Sequence, residues 1–475
     1  VNVLLITLDQ FRGDCLSVAG HPVVRTPGLD ALAAQGVRLA RHYSQAAPCA
    51  PGRASLYTGL YQMNHRVVAN GTPLDDRFDN VARVARRAGF RPTLFGYTDQ
   101  AVDPRTVTDP ADLRLSTYEG VLPGFDVGLD LTGTLATWRE WVAGHGVDIP
   151  TGAGRALATE PDRPATLGIS TFLTDRFLDW HARRDEPWFA HLSYLRPHPP
   201  YAAAGDWSVA YAPDDVDLPI AAGPVEDRHR LHRMLLELPF AAAPGDEGAM
   251  RAMRAQYYGM IGDVDHQLQR VWARLRERGE WDDTVIVVTS DHGDQLGDHG
   301  LVDKFGWFES SYHVLGLVRD PCRPDGHGTV VDRFTENVDV LPTIGAAIGA
   351  EVPRQCDGRS LDGFLDGREP DRWREAAHWE FDWRVFALMS GRRSGWPEDR
   401  RFERRQVTVA RGVDRAYVQF ADGEALTYDL TLDPTWRTPV ADPAVAWADA
   451  RALLAWRAEH TDRTLTDILL GPPTT

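Results

Sequence analysis

Cys49, Pro51 and Arg53 occupy alternate positions in the stretch Ala47-Pro48-Cys49-Ala50-Pro51-Gly52-Arg53-Ala54-Ser55-Leu56-Tyr57-Thr58-Gly59. The stretch is predicted to be a loop running into a short helix. Pro51 suits the first turn, where its missing N–H leaves nothing unsatisfied. Gly59 suits the stop. Cys49 then sits at a helix N-terminus, whose partial positive charge favours an anion. Arg53 follows one turn later on the same face. A thiol, a helix N-terminus and a guanidinium converging on one point could hold a tetrahedral oxyanion. A lone cysteine is also commonly a buried, inert small hydrophobe, so the reading needs partners from elsewhere in the chain.

Three further groups supply them. Asp9-Gln10 follows an apolar run, and Ser290-Asp291-His292-Gly293-Asp294 follows another. Hard oxygen ligands with one imidazole suit Mg²⁺, Ca²⁺ or Mn²⁺ better than a thiolate zinc site. The third is Lys304, twelve residues after His292. The chain has 51 basic residues, and Lys304 is its one lysine. Where arginine has replaced lysine throughout, a surviving lysine points to chemistry that a guanidinium cannot perform, such as giving up a proton. Asp-His at a single strand end could be loop polarity or a helix cap. Two such ends, flanking Cys49-x-Pro51-x-Arg53 in sequence, point to a metal site.

The elements that must position these residues are legible in outline. Val1-Asn2-Val3-Leu4-Leu5-Ile6-Thr7-Leu8 and Thr284-Val285-Ile286-Val287-Val288-Thr289 are continuous apolar runs, the pattern of strands buried on both faces. Further strands are predicted at 93–97, 188–194 and 314–318. Helices are predicted at 28–37, 79–89, 168–183, 248–278 and 338–349. Alternation of strands and helices over some 350 residues implies an α/β fold with a largely parallel sheet, its site off the carboxyl ends of the strands. Residues 105–165 and 201–247, rich in Pro, Gly, Ala and Asp, read as irregular insertions. From about 376 the pattern changes. Short β-like runs over 405–430 and a helix at 443–459 suggest a small C-terminal α+β domain. The expected division is 1–375 and 376–475.

Composition bounds the function. At 475 residues the chain exceeds one simple core. A net charge of −17 argues against nucleic acid or an anionic membrane as partner. The four cysteines, Cys15, Cys49, Cys322 and Cys356, have no disulfide or zinc spacing, which suits a reducing compartment. No apolar stretch is long enough to span a bilayer, and the chain opens directly on a strand-like run without a signal peptide. Together these lead to the expectation of a cytoplasmic protein.

The order strand-Asp, Cys-x-Pro-x-Arg, Ser-Asp-His-Gly and then lysine resembles the type I sulfatases of the alkaline phosphatase superfamily, over essentially the whole chain. Within that family the sequence is similar to the bacterial phosphonate monoester hydrolases/phosphodiesterases. The stretches that carry this likeness are Thr58-Gly59-Leu60-Tyr61-Gln62-Met63-Asn64-His65-Arg66, Phe95-Gly96-Tyr97-Thr98, Arg196-Pro197-His198-Pro199-Pro200, His378-Trp379-Glu380-Phe381-Asp382 and Asp462-Arg463-Thr464-Leu465-Thr466. Common arylsulfatases carry Gly-Lys-x-His where this chain has Gly96-Tyr97-Thr98-Asp99, and usually paired aspartates where it has Asp9-Gln10. Two positions depart from the phosphonate hydrolases: Asp99 stands in place of a hydroxyl residue, and Asp303 in place of the glycine before the lysine.

The resemblance implies an alkaline-phosphatase-like, mostly parallel sheet sandwiched by helices. It implies that a formylglycine-generating enzyme oxidises Cys49 to formylglycine, an aldehyde that hydrates to a gem-diol. One divalent cation, Ca²⁺ or Mn²⁺ ahead of Mg²⁺ or Zn²⁺, would be held by Asp9, Gln10, Asp291, His292 and the modified Cys49. Arg53 would hold the oxygens of residue 49. Lys304 would bind the non-bridging oxygens of a small anionic ester, with Asn70 beside it. His198 and Lys304 are the candidates to protonate the leaving alcohol, and Tyr97 and Asp99 to assist release of the product. His198 between prolines could instead cap a loop, and Asn70-Gly71 is also a turn dipeptide. His21 and His65 read as structural, and Trp373, Trp379 and Trp383 as core or subunit contact. The implied activity is hydrolysis of phosphonate monoesters and phosphodiesters with some sulfate ester hydrolysis. The alternatives are a sulfatase proper, for aryl or alkyl sulfates, and a non-catalytic metal-binding relative. Relatives of this kind tend to form dimers or tetramers.

Overall fold

A computed structural model describes residues 1–117, 119–384 and 406–461. Thirteen strands are found among them: β1 (Asn2–Leu8), β2 (Val37–Tyr43), β3 (Ala46–Ala47), β4 (Thr93–Gly96), β5 (Asp126–Asp130), β6 (Phe189–Tyr194), β7 (Thr284–Thr289), β8 (Gly316–Arg319), β9 (Thr329–Glu336), β10 (Ala377–Phe381), β11 (Val407–Arg411), β12 (Arg415–Phe420) and β13 (Ala425–Asp429). Eight of them form the main sheet, in the order β5-β4-β6-β1-β7-β8-β2-β9. All pairings are parallel except those of β8, which runs antiparallel to both β7 and β2.

The apolar run of β1 explains its central place. All seven of its residues are buried. With a side-chain period of two, Leu4, Ile6 and Leu8 enter one core while Val3 and Leu5 enter another on the opposite face. The first core is closed by the helices Pro27–Ala33, Ile169–His181 and Glu247–Glu277, the second by Cys49–Thr58, Val81–Arg87 and Val340–Ala347. The fold is thus a mostly parallel sheet between two helical layers, as expected.

The smaller sheet has the order β13-β12-β11-β10-β3. Its first four strands are antiparallel neighbours from the C-terminal part of the chain. Its fifth, β3, comes from just before Cys49 and pairs parallel with β10. The helix Pro443–Glu459 packs on this sheet, Leu453 and Trp456 meeting Tyr61 and Tyr417. No described helix is long and apolar enough to cross a membrane.

Several boundaries differ from the sequence reading. The helix expected over 28–37 ends at Ala33, and the chain enters β2 at Val37. Gly36 marks the turn: a Cβ there would meet the Val318 carbonyl oxygen at 2.6 Å. β2 escapes prediction because Arg38, Arg41 and His42 interrupt its apolar pattern, and β9 because its first half is mostly exposed. The strand expected at 314–318 lies at Gly316–Arg319. The segment 105–165 holds more than loops: it contains β5 and the helices Ala136–Gly144 and Ala153–Ala158. The stretch 201–247 is a chain of 3₁₀ turns with one short helix, Arg230–Leu236. Asp462-Arg463-Thr464-Leu465-Thr466 lies outside the described residues.

Candidate active site

Four adjacent strands, β4-β6-β1-β7, deliver the site from their carboxyl ends. β1 ends at Leu8 and hands over to Asp9 and Gln10; β7 ends at Thr289 and hands over to Ser290, Asp291 and His292. Tyr97 follows β4, and the loop carrying Arg196 and His198 follows β6. This is where an open α/β sheet places its ligands. The helix Cys49–Thr58 arrives with its N-terminus at the same point and stops on left-handed Gly59. Its close approach depends on Gly52, where a Cβ would lie 2.4 Å from the Asp291 carbonyl oxygen.

Asp9, Cys49, Asp291 and His292 each offer one ligand atom, and these atoms lie within 4.8 Å of one another. All four residues are buried. Asp9 Oδ1 is buried without a hydrogen-bond partner, an expensive state for a carboxylate unless a cation satisfies it. His292 Nδ1 lies 3.0 Å from the Gly293 carbonyl oxygen and donates to it. That leaves the Nε2 lone pair facing the cluster, 3.3 Å from Cys49 Sγ. Two carboxylates, one of them with an orphaned oxygen, and one imidazole fit a divalent cation.

Arg53 underpins the cluster. Its Nε donates to Asp291 Oδ2 at 2.9 Å and its Nη2 to Asp9 Oδ2 at 3.0 Å. Its Nη1 donates to Ser193 Oγ at 2.8 Å and to the Tyr97 carbonyl oxygen at 3.1 Å. The guanidinium lies 4.3 Å from the Tyr97 ring centroid, and Tyr97 Oη donates to Asp9 Oδ2 at 2.5 Å. Arg53 was expected to hold the oxygens of residue 49. Its described hydrogen bonds include those to the carboxylates of Asp9 and Asp291 at the two strand ends. Burial opposes ionisation of Asp9, yet His198, Arg53, His292 and Lys304 hold its carboxyl well below the usual range.

Lys304 is buried and ringed by acceptors. Its Nζ lies 3.0 Å from Gln10 Oε1, 3.0 Å from His198 Nε2, 3.5 Å from Cys49 Sγ and 3.3 Å from Asp303 Oδ1. Burial opposes its charge, but Asp303, Cys49, Asp9 and Asp291 raise its pKa well above the ordinary value. His198 Nδ1 is 2.6 Å from the Pro199 carbonyl oxygen and donates to it, so Nε2 is the acceptor for Lys304. Burial and Lys304 push the imidazole down to about 4. His198 is therefore neutral, and the mobile proton of the pair resides on Lys304.

The remaining predicted residues gather at the same place in different ways. Gln10, in a left-handed conformation (φ 68°), donates from Nε2 to Asp294 Oδ2 at 2.7 Å and to Asp303 Oδ1 at 3.1 Å. Its amide oxygen, expected on the cation, accepts from Lys304. Asn70 Oδ1 accepts from the Ala50 N–H at 2.9 Å and so ties down the start of the helix. Asp99 lines the cavity and is pushed up to about 7 by burial and by Glu119, against the pull of Arg53. Cys49, Asn70, Tyr97, Asp99, His198 and Lys304 all face one cavity of about 220 Å³.

Further residues take part beside the predicted ones. Asp294, pushed up to about 7 by burial and Asp303, accepts from Gln10 and from Tyr201 Oη. It lies two residues past His292, in the stretch 290–294 that the sequence marks as ligand-bearing, and its contacts run to Gln10 and Tyr201. Ser193 and Tyr201 carry no local signal. Arg196 donates to the carbonyl oxygens of His198 (2.8 Å) and Pro200 (2.9 Å) and pairs with buried Glu160.

The Sulfatase family model matches residues 1–350. The chain belongs to the sulfatase family. It is a hydrolase acting on esters, within the alkaline phosphatase superfamily. The solved phosphonate monoester hydrolase of Agrobacterium radiobacter is similar over 98% of this chain and 97% of its own, with a TM-score of 0.90 and 42% identity. The multifunctional alkaline phosphatase superfamily protein PehA of Trinickia caryophylli is 36% identical over 99% of this chain and 98% of its own length. An arylsulfatase of Clostridium perfringens is 27% identical over 80% of this chain and 81% of its own length. The sulfatase family is metal-dependent, which agrees with the donor set around Asp9.

Proposed function

We propose that this sulfatase-family chain is a formylglycine-dependent metallohydrolase of phosphonate monoesters and phosphodiesters that also accepts sulfate esters. The observation that carries this reading is the placement of Cys49. It stands at a helix N-terminus, inside a cation-type cluster and within reach of Lys304. Likeness to the Agrobacterium phosphonate monoester hydrolase and to PehA supports phosphorus over sulfur.

One divalent cation, Ca²⁺ or Mn²⁺ ahead of Mg²⁺ or Zn²⁺, would be held by Asp9, Asp291, His292 and residue 49, with Gln10 beside it. Bound there it would supply positive charge to the reacting oxygens. Formylglycine at position 49 would supply a hydrated aldehyde as the nucleophile. The chain's own residues do the rest. Arg53 and Tyr97 hold the Asp9 carboxylate in one orientation. Lys304 binds a non-bridging oxygen and gives its proton to the leaving alcohol, help worth roughly 10² to 10⁴ in rate. His198, neutral, steers the Lys304 ammonium. Asn70 fixes the helix start through its oxygen and offers its amide N–H groups to the ester. Asp99 is placed to take a proton during product release.

A formylglycine-generating enzyme is the partner this maturation requires. We further propose a cytoplasmic setting, supported by four free cysteines, a homo-dimer or tetramer, and a catalytic part (1–375) completed by a C-terminal part (376–475). The likeness to an arylsulfatase supports a second reading, a sulfatase proper. The deciding experiment compares kcat/KM for 4-nitrophenyl phenylphosphonate and 4-nitrophenyl sulfate on protein whose residue-49 peptide has been weighed by mass spectrometry. Preference for the phosphonate with an aldehyde at position 49 is expected. Preference for the sulfate by orders of magnitude favours the second reading. An unmodified thiol in fully active protein overturns the formylglycine step. Activity undiminished in both Cys49→Ala and Lys304→Ala removes catalysis from this site and leaves a metal-binding relative.

A further inference from the structure

The stretch Arg196-Pro197-His198-Pro199-Pro200 lends His198 to the site, but its arginine takes no step in the reaction proposed above. Leu195, His198 and Pro199 line the cavity at Cys49, and Arg196 does not. Arg196 is 1% exposed, and so is its partner Glu160.

A loop of this composition cannot be fixed by its own backbone donors. Of residues 197–200 only His198 has a backbone N–H, and that group donates to the Leu195 carbonyl oxygen at 3.0 Å. The loop is held through its carbonyl oxygens, and one guanidinium supplies the donors. Arg196 Nη1 donates to the carbonyl oxygens of His198 and Pro200 at 2.8 and 2.9 Å. Nη2 donates to those of Ala202 at 3.1 Å and Leu157 at 3.3 Å. Nε donates to Glu160 Oε2 at 2.9 Å, and Nη2 reaches the same oxygen. All five N–H groups of the guanidinium are engaged, so none remains for an anionic substrate. Glu160 is fixed in turn. Its Oε1 accepts at 2.8 Å from the N–H of Ile169, the first residue of the helix Ile169–His181. The start of a helix thus holds Glu160, Glu160 holds Arg196, and Arg196 holds the loop.

At the far end of this series lies a proton. His198 Nδ1 donates to the Pro199 carbonyl oxygen, inside the held stretch, and Nε2 faces Lys304 Nζ at 3.0 Å. If the loop turns, Nδ1 loses its acceptor and the Nε2 lone pair no longer meets the ammonium. We propose that Glu160 and Arg196 are positioning residues for proton delivery. They set the tautomer and direction of His198, and so the place from which Lys304 gives its proton to the leaving oxygen as the bond from that oxygen to phosphorus breaks. Neither residue touches the ester. The inference rests on the ester hydrolase reading of the Cys49 site.

The test uses two esters that differ only in the leaving group, 4-nitrophenyl phenylphosphonate and phenyl phenylphosphonate. It compares the metal-loaded wild type with Glu160→Gln and Arg196→Lys, each shown by thermal melting to be folded. Glu160→Gln keeps the shape and removes the charge that orients the guanidinium. Arg196→Lys keeps the charge and removes the planar fork that reaches several carbonyl oxygens at once. Phenol is a weaker acid than 4-nitrophenol, so its departure depends more on the proton. General acid help is worth roughly 10² to 10⁴ in rate, so each variant should lose about tenfold or more in kcat/KM on the phenyl ester beyond its loss on the nitrophenyl ester. Equal losses on both esters, as a merely structural role would give, overturn the inference. A second measurement needs no turnover. The ring-nitrogen NMR signals of His198, assigned by their loss in His198→Asn, should report the Nδ1-protonated tautomer in the wild type and a mixture of tautomers in both variants. An unchanged tautomer in both variants overturns the inference. Failure of the wild type to hydrolyse either ester falls instead on the parent reading, and the ring signals still decide the role of Glu160 and Arg196.

Discussion

Lys304 concentrates the argument at the scale of single residues. It is the one lysine among 51 basic residues, and its Nζ touches Gln10, His198 and Cys49 at once. A guanidinium would keep the charge but could not fit this three-way contact or release a proton. Lys304→Arg is expected to lower kcat by about 10² or more, with metal content and melting temperature near those of the wild type. An arginine variant within tenfold of wild-type kcat would remove the proton-donor role. Metal assays and thermal melts on the same preparation separate this from misfolding. The residues of this site were largely legible in the sequence for a physical reason. Asp9, Asp291 and His292 stand where apolar runs end, Cys49 and Arg53 share one helical turn, and compositional bias isolates Lys304. What they contact was not legible. That Arg53 serves Asp9 and Asp291, that His198 accepts from Lys304, and that Asp294 orients Gln10 all depend on pairings between residues far apart in the chain.

At the scale of elements, the long apolar strands and the long helix were readable because their patterns persist over many residues. The strand Thr284–Thr289 and the helix Pro443–Glu459 match expectation to the residue. β2 and β9 were not readable, since their arginines and exposed positions break the alternation that marks a strand. The helix Glu247–Glu277 shows what even a well-marked element can hide. Its Asp263 is 2% exposed and pushed up to about 7 by burial and by Glu160. In the unfolded chain an aspartate titrates near 3.9. Between about pH 4 and pH 7 the native state therefore binds more protons than the unfolded one, and stability falls as pH rises, by at most about 1.4 kcal/mol per pH unit, levelling off above 7. Asp263→Asn removes this dependence. The melting temperature of the variant relative to wild type is expected to climb from pH 4 to pH 7 and then stay constant. A difference that does not vary with pH would refute the buried-proton account.

At the scale of the whole molecule, the two sheets share more than a boundary. The sequence suggests a catalytic part followed by an appended tail, because its pattern changes near residue 376. The structure joins them at the most sensitive place. Glu380 and Phe381 of β10 pair with Ala46 and Ala47 of β3, and the Glu380 N–H donates to the Gln45 carbonyl oxygen at 2.9 Å. Trp379 of β10 lies flat on Tyr43, with ring centroids 5.7 Å apart and planes 7° apart, and on Tyr312 at 4.9 Å. One apolar core takes Tyr43, Ala47, Trp307 and Tyr312 from the first part and Trp379, Phe381, Val409 and Val418 from the second. The loop that presents Cys49 is thus clamped between the main sheet and the C-terminal one, and the core around Tyr43 and Trp379 is complete only when both parts contribute. Trp379→Ala should cost about 3–5 kcal/mol, the usual range for a large aromatic truncated in a core. Because the core is shared, the loss should appear as one cooperative transition shifted to lower temperature, with the second sheet and the Cys49 site melting together. A chain ending at residue 375 should lose the partner of Ala46–Ala47 and retain no ester hydrolysis. Two separate transitions in the Trp379→Ala variant, together with an active 1–375 fragment, would show that the C-terminal sheet is an appendage and that Cys49 is positioned without it.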